Sequence, residues 1–312
     1  MEFRTQVPIH PQEPKIGYSS KVLLLGSCFV ENMGNKLEYF KFQQLLNPFG
    51  ILFHPAAIHN FLNSVVQKKK YTEEDIFFHN DAWHSYRAHS DLSSLEKEVI
   101  LDRLNSAAEE TRTYLKTASH VIITPGTAWG YRLKKTGETV ANCHKVPQKN
   151  FSKELIDVET NLFECVRLVR ELNPEVTVIF TVSPVRHLKD GFIENQLSKS
   201  RLITAVHQVI SEEKNTAYFP AYEIMMDELR DYRFYAEDML HPNAIAIDYI
   251  WEKFTETWIP SEALPVMKKV ETIQKGLSHR PFNEDSEAHK KFRKDLQKKI
   301  SDLQNNYPEI RF

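Results

Sequence analysis

The chain has 312 residues, of which 41% are hydrophobic and 26% charged, and its formal net charge at pH 7 is −2. These fractions are ordinary for a globular protein, and the near-neutral charge argues against nucleic acid as a partner. No apolar run is long enough to span a bilayer, and the N-terminal residues have no apolar signal region. The sequence therefore predicts a cytoplasmic protein that binds neither nucleic acid nor membrane.

The three cysteines argue against a disulfide framework and against a zinc site. Cys28, Cys143 and Cys165 are odd in number, lie far apart, and have no paired spacing. Reduced thiols are the simplest interpretation, and they fit the cytoplasm. The histidines likewise lack a metal-ligand spacing, so we expect neither a metal nor a cofactor.

The first strand and helix organise the chain. The apolar run Val22–Leu25 ends at Gly26, as in a strand buried on both faces. Apolar residues then recur at a spacing of four, at Phe29, Met33 and Leu37. An abrupt turn from strand to helix would leave Ser27 at the helix N-terminus, where free N–H groups favour an anion. A serine nucleophile is commonly built in this way, although an ordinary serine N-cap would give the same pattern.

Strands and helices alternate along the rest of the chain. Residues 1–20 form an extended lead-in, and further strands are predicted at 44–46, 121–124, 176–182 and 217–219. Helical periodicity covers residues 55–66, 94–115, 154–172, 200–210 and 244–258. The alternation predicts an α/β domain over residues 1–259, with a parallel sheet of about five strands covered on both faces. Residues 260–312 contain charged helices and are predicted to form a helical C-terminal extension.

Each polar motif follows the end of a predicted strand. The motifs are Gly26-Ser27, Asn47–Gly50, Gly126-Thr127 and Ser183–His187. Ligands of parallel sheets bind beyond the carboxyl ends of the strands. We therefore expect these motifs to meet at one edge of the sheet.

Asp238 and His241 lie in the loop that precedes the last predicted helix of the domain. This spacing lets the aspartate orient the imidazole while the other ring nitrogen faces a serine hydroxyl. Serine needs such a base, because its hydroxyl is a poor nucleophile until its proton is removed. The alternative is a surface loop that ends in a helix cap at Asn243.

These motifs resemble those of a known family. The stretch G-S-C-F-V at 26–30 closely resembles the signature of the GSCFA domain family, which is grouped with the SGNH, or GDSL-like, hydrolases. Further similar stretches are N-P-F-G at 47–50, P-G-T-A-W at 125–129, A-N-C-H-K at 141–145, S-P-V-R-H at 183–187 and D-M-L-H-P at 238–242. The resemblance implies a three-layer α/β/α, flavodoxin-like fold and hydrolase or acyl-transfer chemistry.

The resemblance also implies roles for individual residues. Ser27 matches the nucleophile, His241 the base and Asp238 the residue that orients it. Gly50 matches a glycine whose backbone N–H would join that of Ser27 in an oxyanion hole. The third block departs from the superfamily pattern Gly-x-Asn, because Thr127 and Ala128 follow the glycine. We expect Thr127 or Asn142 to supply the missing donor; without one, the site would be a weak catalyst or a silent binding module.

Other residues near these motifs have two interpretations each. Cys28 is intrinsically a better nucleophile than Ser27, but a buried inert thiol is the simpler role. Arg186 and His187 could bind the substrate or form an ion pair at a strand end. Trp129 could stack on a sugar ring or pack in the core.

The sequence as a whole predicts a serine esterase that acts on a small ester or O-acyl group, such as one carried by a carbohydrate. Two alternatives stay open: an O-acyltransferase that uses the same triad, and a catalytically silent module that binds a carbohydrate or acyl ligand. The sequence does not specify the oligomeric state.

Overall fold

The computed structural model describes residues 5–284 and 286–312. The first four residues of the predicted extended lead-in therefore lie outside the described residues. Among the described residues, no helix has both the length and the apolar character needed to cross a membrane.

Five parallel strands form the main sheet. The strands in chain order are β1 (Lys21–Gly26), β2 (Gln43–Leu46), β3 (Phe77–His79), β4 (Ala82–His84), β5 (His120–Thr124), β6 (Trp129–Leu133), β7 (Thr139–Val140), β8 (Phe151–Leu155), β9 (Thr177–Phe180) and β10 (Thr216–Tyr218). The main sheet has the order β2-β1-β5-β9-β10, while β3-β4 and β7-β6-β8 form two small sheets. Taken along the chain, the main strands have the flavodoxin-like order 2-1-3-4-5. The predicted parallel sheet of about five strands is confirmed.

Helices cover both faces of the main sheet. They are α1 (Cys28–Tyr39), α2 (Pro55–Val66), α3 (Lys97–Leu115), α4 (Val158–Leu172), α5 (Phe192–Glu212), the short α6 (Ala221–Glu223), α7 (Ala244–Trp258), α8 (Leu264–Leu277) and α9 (Glu287–Asn306). Because successive side chains of a strand point to opposite faces, Leu23 and Leu25 pack with α2 to α5, whereas Val22 and Leu24 pack with α1 and α7 to α9. The predicted three-layer α/β/α architecture is therefore confirmed.

The C-terminal helices α8 and α9 share the second of these cores. Val270 and Ile273 of α8 and Leu296 and Leu303 of α9 are buried with the apolar residues of α1 and α7. The apolar residues of this predicted C-terminal extension therefore pack on the α/β domain of the same chain.

The helix predicted to begin at Glu154 in fact begins later. Residues Phe151–Leu155 form β8, which pairs antiparallel with β6. The helix then starts at Val158, after Asp157, whose Oδ1 accepts a hydrogen bond from the Thr160 N–H at 3.1 Å. The prediction was wrong here because the pairing of β8 with β6 is a tertiary contact that helical periodicity does not report.

Candidate active site

The turn between β1 and α1 holds Ser27 at the carboxyl edge of the sheet. Gly26 has φ = +142°, and a methyl group there would lie 2.3 Å from the Thr124 carbonyl oxygen, so only glycine fits. Ser27 occupies the N-cap position of α1, but its side chain makes no capping hydrogen bond. Ser27 is fully buried, and its Oγ has no hydrogen-bond partner. The hydroxyl is therefore not used to hold the turn together.

The loop before α7 orients the His241 ring. Asp238 Oδ1 accepts hydrogen bonds from the backbone N–H groups of Leu240 and His241, at 2.8 and 3.0 Å. Its Oδ2 lies 2.6 Å from His241 Nδ1. These backbone and side-chain hydrogen bonds from His241 and Leu240 lower the pKa of Asp238 to about 2. Asp238 is thus an acceptor at neutral pH, Nδ1 donates to it, and Nε2 of a neutral His241 ring is left as the basic nitrogen.

The basic nitrogen of His241 faces the turn at residues 27 and 28. Nε2 lies 3.4 Å from Cys28 Sγ, while Ser27 Oγ makes no hydrogen bond to any residue. Cys28 is half-buried and contacts His241, so it is not an isolated thiol in the core. Burial, with a smaller contribution from Glu31, raises the pKa of Cys28 to about 11, so the thiol stays protonated at neutral pH. A bond from Ser27 to His241 requires the imidazole to move from the thiol to the neighbouring hydroxyl.

The two backbone amides expected in the oxyanion hole already have acceptors within the protein. The Ser27 N–H donates to the Thr124 carbonyl at 2.9 Å, and the Gly50 N–H donates to the Asn47 carbonyl at 2.7 Å. Gly50 has φ = +68°, and a methyl group on it would lie 2.4 Å from His89 Cβ. The glycine is thus needed for a tight turn packed against His89, and both amides are bonded inside that local structure.

The two side chains expected to replace the missing third-block donor both accept hydrogen bonds through their oxygen atoms. Thr127 Oγ1 accepts a hydrogen bond from the Trp129 N–H at 3.0 Å and lies 3.2 Å from Ser198 Oγ. Asn142 lies in the cleft described below, where its Oδ1 accepts from the His144 N–H at 2.8 Å. The Thr127 hydroxyl therefore supports the turn after β5, and the Asn142 carbonyl supports the loop that lines the cleft.

His187 lies directly beside the Ser27 turn. A methyl group at Gly126 would lie 2.7 Å from His187 Nε2 and 3.1 Å from Ser27 Cβ, so both residues flank the same glycine. His187 Nε2 is buried and has no hydrogen-bond partner. The His187 backbone N–H donates to Asn195 Oδ1 at 2.8 Å, which anchors the residue to α5. Burial, then the positive charge of Lys199, lowers the pKa of His187 to about 3, so the imidazole is neutral.

Lys199 of α5 is fully buried beneath this site. Its Nζ donates to the carbonyl oxygens of Gly126 and Ser183, at 2.8 and 2.6 Å, and so ties together the loops that follow β5 and β9. Burial lowers the pKa of Lys199 to about 7. Sequence reasoning missed this residue, because a lysine within an amphipathic helix ordinarily lies in solvent and carries no signal of burial.

A cleft of about 500 Å³ opens next to the Ser27 turn. This volume lies within the range of about 300–1,000 Å³ that is typical of small-molecule sites. The Gly126 and Thr127 N–H groups both donate to the Phe53 carbonyl, which brings the inner end of the cleft to the β5 turn. The aromatic and polar side chains that line the cleft include Phe53, Trp129, Tyr131, Asn142, Phe151 and His187.

The predicted substrate-binding residues have different positions. Trp129 and His187 line the cleft, whereas Arg186 does not. Arg186 donates from Nη1 to the Met239 carbonyl at 3.2 Å and from its backbone N–H to the Leu240 carbonyl at 3.1 Å. Its guanidinium also lies 5.4–5.7 Å from the ring centres of Phe192, Tyr232 and Tyr235. Arg186 therefore holds the loop that carries His241, a role that neither sequence interpretation included.

A second histidine–aspartate pair lies at the same edge of the sheet. His89 Nδ1 is 2.9 Å from Asp91 Oδ2, and the His89 side chain packs against Gly50. Sequence reasoning did not single out this pair. The spacing H-S-D at residues 89–91 was its only local signal, and such a spacing is common on protein surfaces.

Comparison with known proteins gives a family and distant structural neighbours. No curated protein matches the chain. Among solved structures, a family 3 carbohydrate esterase from Clostridium thermocellum aligns with a TM-score of 0.37 and 10% identity, over 81% of this chain and 98% of its own. A family 3 carbohydrate esterase from Talaromyces cellulolyticus aligns with a TM-score of 0.39 and 10% identity, over 80% of this chain and 98% of its own. An acetyl xylan esterase from Butyrivibrio proteoclasticus aligns with a TM-score of 0.38 and 9% identity, over 81% of this chain and 64% of its own.

Two family models match the sequence itself. The GSCFA family model covers residues 21–254, which include the β1 turn, the Asp238–His241 loop and the whole main sheet. The model of the GSCFA C-terminal domain covers residues 270–312, most of the helical extension. Since these matches include most of the chain, the protein belongs to the GSCFA family.

Proposed function

We propose that this protein is a serine esterase of the SGNH type, which cleaves a small ester or an O-acyl group such as one carried by a carbohydrate. The observation that carries the proposal is the Asp238–His241 pair, in which the basic Nε2 faces the turn that bears Ser27. An aspartate that fixes the tautomer of a histidine beside a serine is the arrangement used to activate a serine hydroxyl.

In this mechanism Ser27 Oγ attacks the ester carbonyl while His241 Nε2 accepts the hydroxyl proton. The bond from the carbonyl carbon to the leaving oxygen then breaks, and His241 returns the proton to the departing alcohol. A water molecule attacks the acyl-enzyme in the second half of the reaction, with His241 again as the base, and releases the acid and Ser27. Asp238 keeps its charge throughout and stabilises the imidazolium.

Ser27 is preferred over Cys28 as the nucleophile, although Cys28 is nearer to His241. Reactive cysteines usually have a lowered pKa, whereas burial raises the pKa of Cys28 to about 11. Ser27 Oγ is a buried hydroxyl without a partner, which is an unfavourable state unless the group has another use. The absence of a Ser27–His241 hydrogen bond does not argue against this assignment, because the bond between a nucleophile and its base is often long without substrate and shortens when substrate binds.

The cleft supports a small substrate with a ring. Trp129, Tyr131 and Phe151 offer aromatic surface, and the amide of Asn142 can pair with a hydroxyl group. Lys153 Nζ lies 4.5 Å from the centre of the Trp129 ring, so one face of this indole is already covered. A sugar or another alcohol could bind in this cleft with its acyl group directed toward Ser27.

The proposal is tested with purified protein, p-nitrophenyl acetate and acetylated sugars. We expect Ser27→Ala and His241→Ala each to reduce kcat by at least about 10³-fold, because triad residues act as a unit. Ser27→Ala should leave the Tm nearly unchanged, since Oγ has no hydrogen bond to lose. Ser200→Ala, at an exposed position of α5, is the matched control and should behave as wild type.

The other outcomes identify the alternatives. Activity that survives in Ser27→Ala but disappears in Cys28→Ala would assign the nucleophile to the thiol. Acyl transfer to an added sugar that outruns hydrolysis would favour an O-acyltransferase with the same triad. A wild-type protein that binds acetylated sugars, but neither hydrolyses esters nor reacts with a fluorophosphonate at Ser27, would be a silent binding module.

A further inference from the structure

At three of the four positions where the sequence led us to expect an oxyanion donor, the group is already engaged within the protein; the fourth, the Asn142 amide, lines the cleft. The Ser27 and Gly50 amides are bonded to backbone carbonyls, and Thr127 Oγ1 accepts from a backbone N–H. Ester attack places a negative charge on the carbonyl oxygen, and donors aimed at that charge are a large part of catalysis. Among the described residues near Ser27, the buried nitrogens without a hydrogen-bond partner include Nε2 of His187 and Nδ2 of Asn47, whose Oδ1 accepts from the Gly26 N–H at 2.9 Å. Of these two residues, only His187 lines the cleft.

We propose that the Nε2–H group of His187 donates a hydrogen bond to the oxyanion that forms when Ser27 attacks the ester carbonyl. The proposal rests on the esterase function proposed above and assigns His187 the role that the third-block asparagine has in the superfamily pattern. It differs from a substrate-binding role, because the donated bond would strengthen only as the charge develops in the transition state.

The position of His187 fits this role. Its Nε2 lies 2.7 Å and Ser27 Cβ lies 3.1 Å from the point where a side chain would begin at Gly126. The absence of a side chain at Gly126 lets the imidazole nitrogen and the serine side chain both pack against this glycine. His187 also lines the cleft, so the residue that carries Nε2 borders both the cleft and the Ser27 turn. Gly126 is thus the residue that allows the donor and the nucleophile to approach each other.

His187 is held in place through both its backbone and its ring. Its backbone N–H donates to Asn195 on α5, and its imidazole meets the Phe53 ring nearly at right angles, with ring centres 5.9 Å apart. A fixed donor loses little reorganisation energy when the charge appears. Lys199 lies beneath and supports the donor indirectly. Its Nζ holds the carbonyl oxygens of Gly126 and Ser183, so the Lys199 ammonium fixes both loops that border the site.

Burial and the neighbouring Lys199 keep His187 neutral, as its lowered pKa indicates. A neutral imidazole has one N–H group, and it can serve as a donor or as a base depending on which nitrogen holds the proton. The Asp238–His241 pair already supplies a base, so a second base beside Ser27 is not needed. A donor at Nε2 is therefore the state that completes the site.

The test compares His187→Gln with His187→Leu, because glutamine can place an N–H donor near the position of Nε2 and leucine cannot. We expect His187→Leu to lower kcat on p-nitrophenyl acetate by about 10²–10³-fold with little change in KM, as for loss of one oxyanion donor. The kcat of His187→Gln should be at least about tenfold higher than that of His187→Leu. His207→Leu, at an exposed position of α5, is the control and should behave as wild type.

Equal losses of kcat in both variants would overturn the donor role, because a base or a purely structural residue is not rescued by glutamine. A second measurement needs no variant and therefore does not depend on folding of His187→Leu. In wild-type protein with labelled histidine, reaction of Ser27 with a fluorophosphonate should shift the His187 Nε2–H proton resonance strongly downfield. No shift in the reacted protein would overturn this proposal alone, whereas a wild type with neither turnover nor labelling would overturn the esterase function as well.

Discussion

The neutral state of His187 predicts a specific loss of stability in acid. The folded pKa of His187 is about 3, whereas an unperturbed histidine has a pKa of about 6.5. Below pH 6.5 the unfolded chain therefore binds a proton that the folded protein does not. Stability that is present above this pH is lost progressively as the pH falls toward 3. A pH of 5 lies about 1.5 units below the unfolded pKa. At this pH the linkage lowers the free energy of unfolding by about 2 kcal/mol, because one unit is worth about 1.4 kcal/mol.

Replacing His187 by glutamine removes this proton linkage while keeping a side chain of similar reach. The free energy of unfolding would be measured by urea denaturation of wild type and His187→Gln at pH 7.5 and pH 5. We expect the wild type to lose about 2 kcal/mol more than the variant between these two pH values. The comparison cancels the contribution of His54, His120 and His144, whose pKa values burial also lowers.

His207→Gln, at an exposed position, is the control, and its acid loss should equal that of wild type. Equal losses in wild type and His187→Gln would mean that the His187 ring is protonated in the folded protein at pH 5. In that case the ring would not be the neutral group that the donor role requires, and the reasoning from burial and Lys199 would be refuted.

Three further outcomes are expected. Gly126→Ala should reduce kcat by at least about tenfold, because the added methyl group would lie 2.7 Å from His187 Nε2 and 3.1 Å from Ser27 Cβ. A wild-type kcat in this variant would contradict the geometry of the site. Asp238→Asn should lose less activity than His241→Ala if the aspartate mainly fixes the tautomer, and equal kcat losses would argue for a larger role. Deletion of α9 and the residues after it should lower the free energy of unfolding by at least about 4 kcal/mol, since it uncovers several buried aliphatic side chains; an unchanged urea midpoint would show that the extension is dispensable for the fold.

The sequence determined the architecture because its signals for the main elements are local. The apolar run Val22–Leu25 and the helical period after Gly26 locate β1 and α1, and Asn243 locates the start of α7 through its cap. Alternating strands and helices then leave few arrangements for a parallel sheet, so the edge that carries the motifs follows from chain order. The pairing of Asp238 with His241 was likewise predictable, because the two residues lie in one short loop.

Only the tertiary structure decided which groups meet around Ser27. The chain brings His241 to Cys28, buries Lys199 under two loops, and turns His187 toward Gly126, although these residues come from separate elements. The backbone hydrogen bonds that engage the expected oxyanion donors are also set by packing between elements. Sequence spacing reports which residues share a strand or a turn. The positions of polar atoms from different elements depend on how the side chains between those elements pack. Whether two such atoms form a hydrogen bond depends on distances and angles that sequence spacing does not report.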